Sequence, residues 1–347
     1  MTLITDKNSL TDKLATEGGV ALFIGDTGIG KTSLCREIGE KLTAQGIKCG
    51  YVDGDINSGS LSGIGIMGMC VWDSPESVAE NKILKEYFVG AVTNAGHGID
   101  IIFGISRLIR EAKRAGCQAV LVDTLGEYDY PTSVIFTQNL IESLYPDYVV
   151  GLQTAHETEF ALCPFLKRED INIAILEKDP PVLNLNRLEL DRKFSIAGLF
   201  RDSRSHLVMM SEVSFLNTWL RNGRQLKWQY FRTLSNILKS RVYHVEIAYK
   251  TLFIFTDGTA DDYMRSEIRE YLHVKDIVIR PPDVYANLYV GFLSANNVHI
   301  GVGLIENIDF EKNIMSVRSS IKSFEPVKQI KFGFIKTVPT GDFIEKI

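Results

Sequence analysis

Residues Gly25-Asp26-Thr27-Gly28-Ile29-Gly30-Lys31-Thr32 follow the apolar run Ala21-Leu22-Phe23-Ile24 and precede a helix-forming stretch. Their types and spacing match G-x-x-x-x-G-K-T, a phosphate-binding loop. Glycines at 25, 28 and 30 let the backbone curl until its N–H groups face an anion, and a helix starting near Lys31 aims its positive end at the same point. Lys31 is expected to reach the β- and γ-phosphates of a nucleoside triphosphate, and the Thr32 hydroxyl to ligate Mg²⁺. The cradle for the nucleotide is expected to run from Gly25 through Ser33. Beyond it, Tyr51-Val52-Asp53-Gly54-Asp55-Ile56-Asn57-Ser58-Gly59 carries two carboxylates one residue apart. Next to a phosphate site, one can hold a metal-bound water while the other accepts a proton from an attacking hydroxyl. Asp53 and Asp55 are the candidates for these two roles, and Asp53 is also a metal candidate. Asp123 ends the apolar run Ala119-Val120-Leu121-Val122, where nucleotide hydrolases place a carboxylate that holds Mg²⁺ through water.

These residues must be positioned by strands and helices in alternation. Gly19–Ile24 reads as a strand and Lys31–Ala44 as a helix, with Leu34, Ile38 and Leu42 on one face. Strands are expected at Lys48–Asp53, Tyr87–Gly90, Ala119–Asp123, Tyr148–Leu152 and Ile171–Leu176. Helices are expected at about 97–115, 132–144 and 157–163, the first carrying Ile101, Ile105, Leu108 and Ile109 on its apolar face. Such alternation predicts an α/β fold, a mainly parallel sheet covered by helices on both faces, with ligands at the carboxyl ends of its strands. Beyond about residue 240 the pattern changes to short strand-like runs such as Val245–Tyr249, Leu252–Phe255, Leu288–Leu293, His299–Ile305 and Ile330–Ile335. The expected division is a nucleotide-binding domain over 1–240 and a smaller β-rich domain over 241–347.

At 347 residues the chain is long enough for two cores. Its net charge of −5 excludes a generally basic nucleic-acid coat, so polynucleotide contact must be local. Five cysteines without C-x-x-C spacing predict reduced thiols in a cytoplasmic protein rather than a disulfide framework or a zinc site. No charged-apolar-small secretion signal or membrane-length apolar run is present.

With these motifs in place, the chain resembles the polynucleotide 5′-hydroxyl kinases of RNA processing, P-loop kinases, and especially their archaeal-type members. Asp53-Gly54-Asp55-Ile56 is similar to the start of that family's D-x-D-x-G-Q segment, and Val122-Asp123-Thr124-Leu125-Gly126 to its T-x-G-[WY] clasp. Ile141-Glu142 with Pro146-Asp147-Tyr148-Val149-Val150-Gly151-Leu152, Tyr87-Phe88-Val89-Gly90 with Gly96-His97, and Gly301-Val302-Gly303-Leu304-Ile305 also resemble family segments. The resemblance implies transfer of a γ-phosphoryl group from ATP or GTP, with Mg²⁺, to the 5′-hydroxyl end of single-stranded RNA or DNA. It implies a clasp at Thr124, Gly126, Glu127 and Tyr128 and an arginine-bearing lid near 184–205, whose pattern is matched by Arg187-Leu188-Glu189-Leu190-Asp191-Arg192-Lys193. Arg187 and Arg192 are the expected closing contacts, with Arg201 and Arg204 as weaker ones. Asn57-Ser58 stands where the family has Gly-Gln, and Glu127 where it has an aromatic. Those departures leave two alternatives, a nucleotide-hydrolysing switch that reports to a protein partner and a scaffold that keeps ATP bound.

One further stretch stands out. From Trp219 to Arg241 there are six basic residues (Arg221, Arg224, Lys227, Arg232, Lys239 and Arg241) and no acidic ones, with Trp219, Trp228, Tyr230 and Phe231 interleaved. The composition suits a single strand of nucleic acid. It suits equally a helix that packs its aromatic side on the β-rich domain with its charges in solvent, and this packing is the expectation.

Overall fold

The computed structural model describes residues 6–126, 131–180 and 185–346. The chain divides into two compact units, Met1–Ile196 and Ala197–Ile347.

The first unit runs α1 (Lys7–Glu17), β1 (Gly19–Ile24), α2 (Lys31–Ala44), β2 (Cys49–Gly54), β3 (Ile66–Trp72), α3 (Pro75–Glu80), β4 (Ile83–Phe88), α4 (Gly98–Arg114), β5 (Ala119–Thr124), α5 (Thr132–Leu144), β6 (Tyr148–Gln153), α6 (Glu159–Leu162) and β7 (Asn172–Glu177), then enters α7 (Leu185–Leu199). Its seven strands form one sheet in the order β4-β3-β2-β5-β1-β6-β7. The five strands β2, β5, β1, β6 and β7 are mutually parallel, and β3 is antiparallel to β2 and β4. Strands β2, β5 and β6 are buried at every residue, as expected for parallel strands covered on both faces. On one face, Leu34, Ile38 and Leu42 of α2 join Leu10 and Leu14 of α1 in a core that includes Tyr51 and Trp72. The other face is covered by α4, which contacts β2, β3, β4 and β5 and buries Ile101, Ile105, Leu108 and Ile109.

Local pattern located the parallel strands and their helices within a few residues. It missed α1, which Asp6 caps by accepting from the N–H groups of Asn8 and Ser9. It also missed the β3–α3 excursion, because Gly63, Gly65 and Gly68 interrupt the run and β3 gains its stability from pairing with β2. The helix expected at 157–163 is a single turn, α6, followed by a 3₁₀ turn over Cys163–Phe165 with Pro164 at its start.

The second unit begins earlier than the expected change near residue 240. It contains β8 (Arg204–Met209), β9 (Ser214–Leu216), β10 (Arg224–Gln225), α8 (Trp228–Leu238), β11 (Val242–Ala248), β12 (Thr251–Thr256), α9 (Asp262–Leu272), β13 (Asp276–Arg280), β14 (Leu288–Leu293), β15 (His299–Asp309), β16 (Ile314–Ser319), β17 (Gln329–Thr337) and β18 (Phe343–Lys346). The reason is long-range pairing. Strand β8 bonds antiparallel to β16 over six residue pairs, Ile314 opposite Met209 through Ser319 opposite Arg204. No pattern near residue 204 announces a partner that distant. The unit has two sheets, β10-β11-β12-β13 and β18-β17-β14-β15-β16-β8, with β9 paired to β17. Helices α8 and α9 pack on the smaller sheet through Leu234, Leu238 and Ile268.

Leu121, fully buried at the centre of β5, tests the placement of the first core. Leu121→Ala should cost about 2–5 kcal/mol, read as a lowered urea midpoint at unchanged m-value. A loss under about 1 kcal/mol would mean that β5 is not central.

Candidate active site

The loop between β1 and α2 has the curl its glycines predict. Gly25, Gly28 and Gly30 have φ of 148°, 77° and 98°, and α2 begins at Lys31 with no side-chain cap. The first-turn N–H groups of α2 therefore have no side-chain oxygen competing for them, which suits a phosphate. Lys31 is nearly buried, and its Nζ donates to the carbonyls of Gly25 and Asp26 at 2.9 and 3.0 Å. Opposite the loop lies Gly126. The Thr27 hydroxyl donates to the Gly126 carbonyl. A Cβ on Gly126 would stand 2.6 Å from the Thr27 nitrogen and 2.8 Å from Lys31 Nζ. Only glycine lets the segment after β5 approach the phosphate loop this closely.

Three carboxylates gather beside the loop. Parallel pairing of β2 with β5 sets Asp53 directly against Asp123, and pairing of β1 with β5 sets Asp123 against Phe23. The Oδ2 of Asp123 accepts from the Thr32 hydroxyl at 2.5 Å and from the Tyr51 hydroxyl at 3.3 Å, while its Oδ1 is buried with no partner among the described residues. Burial pushes the Asp123 carboxyl up to about 6 against the opposing pull of Lys31. An unpartnered buried anionic oxygen beside a threonine hydroxyl at a helix start is the donor set Mg²⁺ takes. Mg²⁺ keeps most of its waters and binds through one or two protein carboxylates plus phosphate oxygens. Thr32 and Asp123 thus fit the metal. Among the described residues no cluster of three or more His, Cys, Asp or Glu forms a dedicated metal cage.

Asp53 sits differently from its expected role as metal ligand or proton acceptor. It is buried, and both its oxygens are engaged. Oδ1 accepts from the Asp55 N–H at 3.1 Å, and Oδ2 from the Ser60 hydroxyl at 2.6 Å and the Leu61 N–H at 3.0 Å. Burial, then the charges of Asp123 and Asp55, push its carboxyl up to about 7. Asp53 is the hub of the loop over residues 54–61. Asp55 stands on that loop, half-buried, with Oδ1 accepting from the N–H groups of Asn57 and Ser58 at 2.9 and 3.3 Å and Oδ2 accepting from no donor among the described residues. Asp55 is therefore the acid held in place with an oxygen to spare.

Thr124 is buried, and its hydroxyl donates to the Phe23 carbonyl at 2.7 Å, which ties the end of β5 to β1. Glu127 and Tyr128 of the expected clasp lie outside the described residues. In α7, Arg187 is exposed and 3.9 Å from Asp191, and Arg192 is half-exposed with no ion-pair partner among the described residues. A Cβ on Gly59 would stand 2.8 Å from Ser195 Oγ, so α7 lies against the loop of Asp55. Arg192, one turn before Ser195, shares that side of the helix. Arg204 lies on β8 of the second unit, and its guanidinium donates to the Lys322 carbonyl. Arg201 also falls in the second unit, beyond the end of α7.

Local sequence gave no signal for Tyr51 or Ser60. Tyr51 stacks on Trp72 with ring centroids 4.7 Å apart while its hydroxyl supports Asp123. His97 sits at the N-cap of α4, where burial lowers its basicity.

Residues 25–194 match the family described as the P-loop of mRNA cleavage and polyadenylation factor CLP1. The chain is 24% identical over 325 residues to a polyribonucleotide 5′-hydroxyl-kinase of Pyrococcus furiosus, covering 92% of this chain and 88% of that protein. It is 23% identical over 346 residues to one of Pyrococcus horikoshii (98% and 91%) and 21% identical over 330 residues to one of Methanocaldococcus jannaschii (92% and 88%). Clp1p, in a solved structure of its wild-type complex with Pcf11p, has the same fold, with a TM-score of 0.59 at 12% identity over 95% of this chain and 78% of that one. A second Clp1p structure gives a TM-score of 0.57 at 12% identity over 95% and 79%. Among the described residues no helix is long and apolar enough to cross a membrane.

Two outcomes check this geometry. Gly126→Ala should weaken nucleoside-triphosphate binding by at least about tenfold in calorimetry, since its Cβ must displace Thr27 or Lys31; an unchanged Kd would detach Gly126 from the phosphate site. Asp123→Asn should raise the melting temperature at about pH 8 and lose that gain near pH 4. The folded carboxyl titrates near 6, above its unfolded value of 3.8. Stability therefore falls as pH rises between the two, and the amide escapes that loss. About 2–4 °C of gain is expected for each kcal/mol recovered, and equal melting temperatures at pH 8 would show that the burial cost is absent.

Proposed function

We propose, from the premise that residues 25–194 are a CLP1-type P-loop segment, that this protein is a polynucleotide 5′-hydroxyl kinase that moves the γ-phosphoryl group of ATP or GTP to the 5′-OH end of RNA or DNA. The observation that carries the reading is Asp55. It is an acid fixed by Asp53 just past the end of β2, in range of Asp123 and on the loop that α7 meets at Gly59, with one carboxylate oxygen unspent. A hydrolase needs to order only water. A kinase needs a positioned base for an incoming hydroxyl. Relatives named as polyribonucleotide 5′-hydroxyl-kinases that align over nine-tenths of the chain support an RNA 5′ end as acceptor.

The division of labour follows from the contacts. Backbone N–H groups of the curled loop and the first turn of α2 hold the β- and γ-phosphates, and Lys31 shifts from the loop carbonyls to the phosphate oxygens. A divalent cation held by Thr32 and Asp123 would supply charge that neutralises the phosphates. Asp55 accepts the proton of the 5′-hydroxyl as its oxygen bonds to the γ-phosphorus and the bond to the β–γ bridging oxygen breaks, leaving the nucleoside diphosphate. Arg192 and Arg187, brought in by α7, neutralise the equatorial oxygens of the migrating group.

Incubation with γ-labelled ATP or GTP, Mg²⁺ and 5′-hydroxyl oligonucleotides should label only strands with a free 5′-OH. Asp55→Asn should lower kcat by about 10²–10⁴ with nucleotide Kd within about threefold, and Lys31→Ala should abolish turnover. Phosphate release without strand labelling would overturn the kinase in favour of a hydrolytic switch.

A further inference from the structure

Helix α8 packs on its sheet as expected, with Phe231 against the same core and Tyr230 beside Tyr271 of α9. Leu234 and Leu238 face the core, whereas the indole of Trp228 is 76% exposed and makes no ring contact among the described residues. On α8, Trp228, Arg232 and Asn236 recur every four positions, all exposed, and so form one outward stripe, with exposed Lys239 just past the helix end. Trp219, 61% exposed, stacks on Phe253 of β12 at 4.8 Å. Leu252 and Ile254, which flank Phe253, point into the core under α8. Alternation along the strand therefore places Trp219 on the opposite face of the sheet from α8. Between the two indoles the chain crosses the sheet's edge at β10, the outermost strand, where Arg224 and Lys227 are exposed.

We propose that this edge, with an indole on either side of it, is a binding surface for single-stranded polynucleotide. The proposal rests on the kinase reading only for its biological occupant; the chemistry stands on the surface itself. Four cations, Arg224, Lys227, Arg232 and Lys239, have no anionic partner among the described residues, and the segment from Trp219 to Arg241 carries no carboxylate. Arg241 is excluded, because it is paired with Glu311. The loop that carries Trp219 is held from beneath. Buried Glu246 accepts from the N–H groups of Arg221 and Gly223 at 2.7 and 3.0 Å and pairs with His244. That loop is thus fixed before any strand arrives. Exposed flat rings separated by unpaired cations match alternating bases and phosphates, whereas a duplex keeps its base faces covered and gives such rings nothing to stack on.

The test uses the full chain and a fluorescent, 5′-phosphorylated oligonucleotide of about 20 residues, which cannot be an acceptor and exceeds one single-strand site. Anisotropy should show that Trp228→Ala weakens binding by at least about fivefold. Arg224→Ala with Arg232→Ala should flatten the slope of log K against log salt by about 1.4, near 0.7 for each phosphate that is no longer neutralised. Nucleotide affinity should not change, since none of these residues belongs to the phosphate site. With acceptors, the same variants should raise KM for long 5′-hydroxyl strands and leave KM for a dinucleotide and kcat unchanged. Unaltered affinity and salt slope in the variants, absence of oligonucleotide binding by the parent protein, or preferential binding of a duplex would overturn the surface. Failure to label any 5′-hydroxyl strand would overturn the kinase alone, because the binding measurement needs no turnover.

Discussion

The site depends on keeping two carboxylates ionisable side by side where water cannot reach them. Parallel register makes Asp53 and Asp123 neighbours across β2 and β5, both almost wholly buried, and burial drives both toward their neutral forms. What opposes that drive is a set of donors that the fold brings from four directions. These are the Thr32 hydroxyl at the start of α2, the Tyr51 hydroxyl on β2, the Ser60 hydroxyl with backbone N–H groups on the loop after β2, and the nearby charge of Lys31. Each acid is thereby given a different task. Asp53 spends all its acceptor capacity inside the protein, and Asp123 keeps one oxygen that nothing in the described structure satisfies. A cation would complete such a site rather than merely enter it.

Much of this was legible in sequence because it is local. The phosphate loop, the strand before it and the helix after it are contiguous, and their glycines are required by backbone angles that few other residues adopt. Asp123 was legible as the carboxylate closing an apolar strand. The division between Asp53 and Asp55 was not, because it depends on Ser60 and Leu61 folding back across a loop, which no spacing rule encodes. Tyr51 reads from sequence as an ordinary buried strand residue. Its role depends on the pairing partner of β2, a strand some seventy positions away. The lid shows the opposite failure. A run of arginines looked continuous through residue 204, yet the chain passes from helix to strand between Leu199 and Arg204 and gives its last arginines to another unit.

In the second unit, composition announced cations and rings together but not which of them would be spent on packing. The leucines of α8 took the core positions, and the indole was left outside. Side-chain accounting in three dimensions, and not residue type, separated the two readings of that stretch. The early start of the unit has the same origin, because β8 is a strand only by virtue of β16.

The stack of Tyr51 on Trp72 gives the protein an optical gauge of its own. Trp72 is fully buried, one tyrosine ring away from the Asp123 carboxylate, whereas Trp219 and Trp228 lie open to solvent. The three indoles of the chain therefore emit from contrasting surroundings. A soluble quencher such as iodide would darken the outer pair and leave the inner one glowing, so that arrival of a ligand at the acid could be followed by colour alone, without label or mutation.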